Sequence, residues 1–456
     1  MTNALDQLAR HVVDTCFEDL SPAAIAATKT FCLDTFGVCV AGTSAPYAEN
    51  ILKVADSWGS GAEAAVIGLG DRFPATTTAF INGFHTHNQE YDCVHELAVL
   101  HPLTTIQSAV LAYGSRHGGI SGRDLILALV LGVDVATSIG MAAQGSAKFF
   151  RPATAGIFGV AAAVGKLAGL DCGMLMDAFG LAYAQAAGTL QDHVEGRPSL
   201  ALMMGFAAAA GIRAVDLSQA GFPGSHDVLE GPFGYFRLYE GVWDTEQVWA
   251  ELGRVWRITQ LSHKPFPSGR ATHGGIDGIL QLRAAHGLQV NELDTLILRA
   301  PTLIHELVGR PLLPDMTVNY ARLCFQYIGA LALANGQVDM GDFCSERLRD
   351  QNLHALAQQI QVVIDDNPDP NALSPQKVIA VMKDGREFTV EIPHTLGSPL
   401  RPLTHEEHLA KFRRCIAYCS RPLAPDTAER VIGLVDRLDE LSNSNEIIQA
   451  LCPVES

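Results

Sequence analysis

The chain has 456 residues, a formal net charge of −17, 48% hydrophobic residues and 18% charged ones. This length exceeds one ordinary hydrophobic core, so two domains are expected. The acidic balance excludes nucleic acid and an anionic membrane surface as partners, while an anionic small substrate stays admissible, because a local arginine cluster reverses the field inside one cleft.

In chain order, MTNALDQLARHVVD has early acids and no apolar run, so it does not read as a signal peptide. SPAAIAATKTFCLDTFGVCVAG reads as a helix with Ser21 as N-cap, Pro22 at the first position and Gly42 at the close. SWGSGAEAAVIGLGD is a loop feeding a short strand. ISGRDLILALVLGVDVATSIGMAA, AGIFGVAAAVGKLAGLD and SLALMMGFAAAAGIRAVDLSQAG are rich in Ala and Gly and apolar on several faces, as in buried helices. Their uninterrupted apolar runs, such as LILALVLGV before Asp134, fall short of the ~20 residues a membrane span needs. A soluble, cytoplasmic protein is expected.

Near residue 255 the character changes. VWRITQL, LDTLILRA and IQVVIDD read as strands, and KVIAVMKDGREFTVEI as a hairpin turning on Asp384-Gly385. Two helices lie among them. After Pro402, Thr404 and Glu407 stand in capping-box spacing and return the chain to helix. The fold class is therefore mainly α: an all-helical domain from residues 1–265 and 400–456, with a smaller α+β domain, 266–399, inserted.

Ten cysteines occur without any CxxC pair, which removes zinc-ribbon, iron–sulfur and thioredoxin-type chemistry. GxGxxG, GxxxxGK[ST] and GxSxG are absent as well. The polar residues concentrate instead in a few stretches. HTHNQEYDCVHELAVLH, 85–101, holds four histidines, two glutamates and an aspartate. It lacks HExxH, so metal binding is the weaker reading beside an acid/base or substrate-orienting loop or a plain polar turn. His101-Pro102 ends the run before an apolar helix whose terminal N–H groups attract an anion. Within the run Glu90, Asp92 and His101 are the candidates, and His85 and His87 read as structural.

HKPFPSGRATHGGIDG gathers Lys264, Arg270 and His273 around one turn and one helix start. It reads as a carboxylate-binding, proton-shuttling corner or as a junction turn with exposed cations. Arg151 in KFFRPATAGIFG and Arg197 in DHVEGRPSLALMMG are two more cations. With Arg270 and the Arg322 and Tyr327 of YARLCFQY, they would form a polycarboxylate pocket, because guanidinium forks grip carboxylates bidentately.

Together, CLDTFGVCVAG, NGFHTHNQEYDCVHELAVLHP, FFRPATAGIFGVAAAVGKLAGL, KPFPSGRATHGGID and YARLCFQY resemble the 2-methylcitrate dehydratase (MmgE/PrpD) family, in its order and over nearly the whole chain. The resemblance implies a helical domain with a smaller α+β lid, a homodimer, and chemistry with neither metal nor organic cofactor. The family's acidic loop reads like DFDDTH. Here it is EYDCVH, with Glu90 at the first aspartate, Asp92 following and Val94 in place of threonine. The later histidine is kept as His101, and the Lys and His of the KPxPxxxATH corner as Lys264 and His273. Tyr327 is similar to the family tyrosine. A histidine usual before the glycine-rich helix is Arg151 here. A lysine of the middle helix is Leu200, with Arg197 nearby.

These departures bear on mechanism. Arginine does not titrate near neutrality, so Arg151 replaces a proton shuttle by a fixed cation. What remains suits proton abstraction beside a carboxylate, with cations stabilising the resulting enediolate. An epimerase needs no leaving group, and the variant loop and extra arginines look most like the iminodisuccinate epimerase branch, whose substrate carries four carboxylates. The expectation is a cofactor-independent epimerase of an amino-polycarboxylate. His101, Lys264, His273 and Tyr327 would be catalytic, and Glu90, Asp92, Arg151, Arg197, Arg270 and Arg322 would bind substrate. The alternatives are a 2-methylcitrate dehydratase-like hydro-lyase or a cis-aconitate-type decarboxylase acting on a tricarboxylate, and a polycarboxylate-binding protein with a decayed site.

Overall fold

Small residues and sparse charge along three long segments yield the 21-residue helices Pro22–Gly42, Gly122–Ala142 and Ser199–Gln219. The structure, a computed structural model, describes residues 4–369 and 371–453. Ser21 caps the first helix, accepting from Ala24 N at 3.1 Å, and Ser121 caps the second, accepting from Asp124 N at 3.1 Å. All three helices are long and apolar enough to cross a bilayer, which corrects the expectation drawn from their interrupted runs. In the structure 94% of the most apolar window of Gly122–Ala142 is buried, and 67% of that of each of the other two. Asp134, inside that helix, is satisfied by protein groups: His11 Nε2 donates to it at 3.1 Å and the Arg257 backbone N–H at 2.8 Å. Glycine sets the helix spacing, since a Cβ on Gly132 would meet Gly159 O at 2.8 Å.

One hydrophobic core runs from Ala4 to Leu261 and resumes from Phe412 to Leu451. A second is built from Ala271 to Met382. Two short strands, β1 (Ala64–Ala65) and β2 (Arg72–Phe73), form a small antiparallel ladder. The main sheet contains β3 (Leu293–Ala300), β4 (Ile360–Ile364), β5 (Gln376–Met382) and β6 (Glu387–Ile392), in the order β4-β3-β5-β6. β3 pairs parallel with β4 and antiparallel with β5, and β5–β6 is the hairpin, its Gly385 at φ 87°. VWRITQL is no strand. Its Arg257 backbone N–H is taken by Asp134, and Arg257–Gln260 closes into a 3₁₀ turn. The Thr404–Glu407 capping box forms, with Thr404 N donating to Glu407 Oε2 at 2.8 Å.

Where the chain passes between the cores, Arg270 pins both crossings. Its guanidinium donates to His263 O at 3.0 Å on the outgoing segment and to Leu396 O at 2.8 Å on the returning one. It also donates to Glu96 of the histidine-rich loop at 2.8 Å.

Candidate active site

The loop of residues 88–101 joins the helices Ala75–His87 and Pro102–Arg116. Two of its non-glycine residues, Glu90 (φ 50°) and Val99 (φ 53°), are left-handed. Such strain costs about 1–3 kcal/mol per residue and persists only where surrounding contacts over-determine it. Asp92 and Glu90 provide those contacts. The Asp92 carboxylate accepts from His87 Nδ1 at 2.9 Å and Thr104 Oγ1 at 2.5 Å, with His101 Nδ1 at 3.3 Å and Lys264 Nζ at 3.6 Å. Glu90 accepts from Lys264 Nζ at 2.9 Å and faces His87 Nε2 at 3.4 Å.

This cluster forms one end of a cavity of about 260 Å³, near the small end of ligand pockets at roughly 300–1,000 Å³. His87, Glu90 and His101 line it directly, while Lys264 and Asp92 stand behind them. The rest of the wall is mostly apolar, with Phe149, Phe150, Leu200, Leu303 and Leu307 prominent.

The electrostatics separate the two histidines. His101 Nδ1 faces only acceptors, Asp92 Oδ2 at 3.3 Å and Cys93 O at 3.2 Å, so it carries the hydrogen and Nε2 is the exchanging nitrogen. Burial, aided by the Lys264 charge, lowers its pKa. Burial also works against charge on His87, but Asp92 and Glu90 on either side outweigh it and raise its pKa. Burial opposes ionisation of Glu90, yet the Lys264 ammonium and then His87 and His101 hold its carboxyl down at about 2. The cluster thus pairs ionised carboxylates with a readily protonated and a neutral imidazole, an acid/base arrangement.

Ligand-type atoms of His87, Asp92 and His101 lie within 4.8 Å of one another, as do those of Asp34, His263 and His408. In each set a lysine already sits beside the carboxylate: Lys264 at 3.6 Å from Asp92 and Lys411 at 2.7 Å from Asp34. The charge a metal ion would bring is supplied by the chain.

The model of the MmgE/PrpD N-terminal domain matches residues 6–247, and that of the C-terminal domain matches residues 266–440. The chain belongs to the MmgE/PrpD family. Among curated proteins it is 26% identical to the cis-aconitate decarboxylase of Mus musculus, an alignment covering 95% of this chain and 90% of the relative. The cis-aconitate decarboxylase of Homo sapiens is likewise 26% identical, over 95% and 91%. That of Aspergillus terreus is 25% identical, over 96% and 94%.

Within this MmgE/PrpD chain, Glu90, Asp92, His101 and Lys264 come together as one cluster. His87, expected to be structural, joins them: it occupies the last turn of its helix, with Glu90 three residues on and Asp92 five, and it faces the cavity. The arginines do not assemble into a clamp. Arg197 is on the surface, paired with Glu195 at 3.1 Å and 58% exposed. Arg322 lies off the cavity beneath the loop, donating to Asn88 O at 2.7 Å and to Gln89 Oε1. Arg270 reaches the cavity wall with its donors spent on Glu96 and backbone carbonyls. Arg151 lines the cavity too, gripped by Glu240 through Nε and Nη2 at 2.8–3.1 Å. Its Nη1 has no protein partner among the described residues and is the one guanidinium edge left for a ligand.

The structure places His273 and Tyr327 away from the cavity lining. His273 is fully buried at the start of His273–His286, donating Nε2–H to Ser268 O at 3.1 Å. Burial, then Arg270 and Lys264, push its pKa well below the usual value, and it does not line the cavity. Tyr327 points into the second core, because its face of Phe325–Asn335 packs there. Burial raises its hydroxyl pKa. Sequence reasoning also missed His193, a cavity-lining residue four positions before Arg197 in DHVEGR, and the carboxylates Glu240 and Glu96 that hold the arginines.

Proposed function

We propose that this MmgE/PrpD protein is a lyase, independent of metal and coenzyme, that decarboxylates a small unsaturated tricarboxylate of the cis-aconitate type. The observation carrying this is the cavity's polarity: one acid/base end facing a mostly apolar wall. A carboxylate pressed against such a wall loses hydration, whereas departing CO₂ is neutral and gains from it. The C–C bond from the substrate's methylene carbon to its carboxylate breaks, and the electron pair moves through the adjacent double bond. His101 Nε2 takes up a solvent proton and passes it to the far vinyl carbon as the bond breaks, leaving CO₂ and a methylene dicarboxylate. His101 thereby returns to its neutral form, with Asp92 holding its Nδ1–H throughout. Arg151 Nη1 and protonated His87 hold retained carboxylates. Lys264 is a positioning residue that keeps Glu90 and Asp92 compensated.

The curated relatives favour this alternative over iminodisuccinate epimerisation. So does the site, because four substrate carboxylates would call for several free cations, and of the arginines counted for that role only the Arg151 Nη1 edge is left. A homodimer is part of the same proposal, tested by sedimentation of the purified chain. The decisive experiment follows ¹³C-labelled cis-aconitate by NMR. Labelled CO₂ and a methylene dicarboxylate are expected in equal amounts, with one solvent deuteron incorporated in D₂O. No CO₂, combined with dehydration of 2-methylcitrate or deuterium exchange into iminodisuccinate, would replace the proposal with the matching reaction.

A further inference from the structure

His193 lies on the short helical turn Gln191–Glu195, which belongs to the helical part of the fold. Arg310 follows the helix Thr302–Val308 of the inserted part. The arginine reaches across and bonds the histidine twice, Nη1 donating to His193 O at 2.9 Å and Nη2 to His193 Nδ1 at 3.1 Å. It is itself fixed by a bond to Leu307 O at 3.1 Å and by stacking over the Tyr320 ring at 4.9 Å.

The second bond decides the tautomer. A guanidinium only donates, so Nδ1 is the bare nitrogen and the hydrogen of a neutral ring sits on Nε2. His193 is nine-tenths buried and lines the same cavity as His87, Glu90 and His101. Its Nε2 has no protein partner among the described residues. Burial, then the Arg310 charge, bring its pKa to about 4, with Glu90 opposing and His87 and Lys264 adding to the effect. The ring is therefore neutral at ordinary pH.

We propose that His193 is a substrate-binding residue whose Nε2–H donates to a carboxylate of the bound acid, and that Arg310 of the inserted part enforces this tautomer. The donor is thus completed by contact between the two parts of the fold. Without Arg310 the ring is free to place its hydrogen on Nδ1 and to present a lone pair, which repels a carboxylate. The inference rests on the cavity being the lyase site, and its test has a readout that needs no turnover.

Binding of methylenesuccinate and of cis-aconitate to the full-length protein is measured by calorimetry, beside steady-state kinetics. His193→Phe is expected to weaken binding roughly 10- to 100-fold, the range of one hydrogen bond to a charged group. KM should rise by a similar factor and kcat should change less than threefold. His193→Gln, which keeps an N–H donor, should recover most of the affinity, and it serves as the informative variant if the phenylalanine variant does not fold. Arg310→Met should weaken binding in the wild-type background and add nothing in His193→Phe. Unchanged affinity in a folded His193→Phe protein, or a wild type that binds neither acid, overturns the proposal. Additive effects of the two substitutions overturn the role of Arg310. If the wild type releases no CO₂ but His193→Phe still weakens binding, the lyase reading fails and this inference stands.

Discussion

Two buried clusters in this protein are made from the same parts. Asp92, His87, His101 and Lys264 form one, and Asp34, His263, His408 and Lys411 form the other. They meet at consecutive residues, because His263 serves one and Lys264 the other, as neighbouring side chains of an extended segment point to opposite sides. The first cluster borders the cavity. The second does not: Lys411 is bonded to Asp34 at 2.7 Å and to Tyr91 O at 2.9 Å, and Phe31 stacks on His263 at 4.5 Å. Burial brings the His263 pKa to about 3 and lowers that of His408, whereas His87 is raised by its two carboxylates. An aspartate, two histidines and a lysine do not make an active site by themselves; a route for substrate to the exchanging nitrogen does.

The sharpest break of this comparison exchanges the lysines. Lys264→Met leaves Glu90 and Asp92 buried without their cation, so activity should fall at least ~10³-fold and stability by about 3–5 kcal/mol. Lys411→Met should cost similar stability while kcat/KM stays within about tenfold in protein that remains folded. Denaturant melts run beside the ¹³C assay check both, and loss of turnover in a stable Lys411→Met protein would erase the distinction. The histidines come next. His101→Asn should lower kcat by about 10²–10⁴-fold, the usual worth of an acid/base group, and His408→Asn should leave it unchanged.

A smaller effect appears in acid. Glu90 is held at about 2 against an ordinary 4.5. A depressed carboxyl stabilises the fold above its unfolded value, and that contribution is lost as pH falls from 4.5 towards 2. The shift corresponds to roughly 3 kcal/mol, so Glu90→Gln should flatten the dependence of the urea midpoint on pH across this window. A steep dependence that survives the substitution would place the acid sensitivity elsewhere. Arg197→Ala, at an exposed pair, should change stability by less than about 0.5 kcal/mol and activity not at all.

Local chemistry was legible in the sequence. Ser21 with Pro22, Thr404 with Glu407 and Asp384-Gly385 act within a few residues, so their elements follow from the letters. The histidine-rich loop and the Lys264 corner were also legible as the two polar stretches that had to be explained. The arginines were not, because what decides an arginine's availability is its partner: Glu240 lies 89 residues from Arg151, and Glu96 lies 174 from Arg270. The orientation of Tyr327 was not legible, because Phe325–Asn335 is apolar on most of its faces and gives no clear sign of which side meets the cavity. The place of His87 was not legible because spacing alone does not show that it occupies a last helical turn, and that position decides what it reaches.

Arg270 also bears on how such proteins diversify. Its acceptors lie on the outgoing segment, the returning segment and the histidine-rich loop, so the insert is not a freely exchangeable module. A chimera that replaced 266–399 with another protein's insert would have to import an arginine at this place, or else leave the Glu96 carboxylate with Ser262 alone and the His263 carbonyl unpaired at the seam. Recombination at these boundaries is therefore filtered by one side chain before any question of catalysis arises.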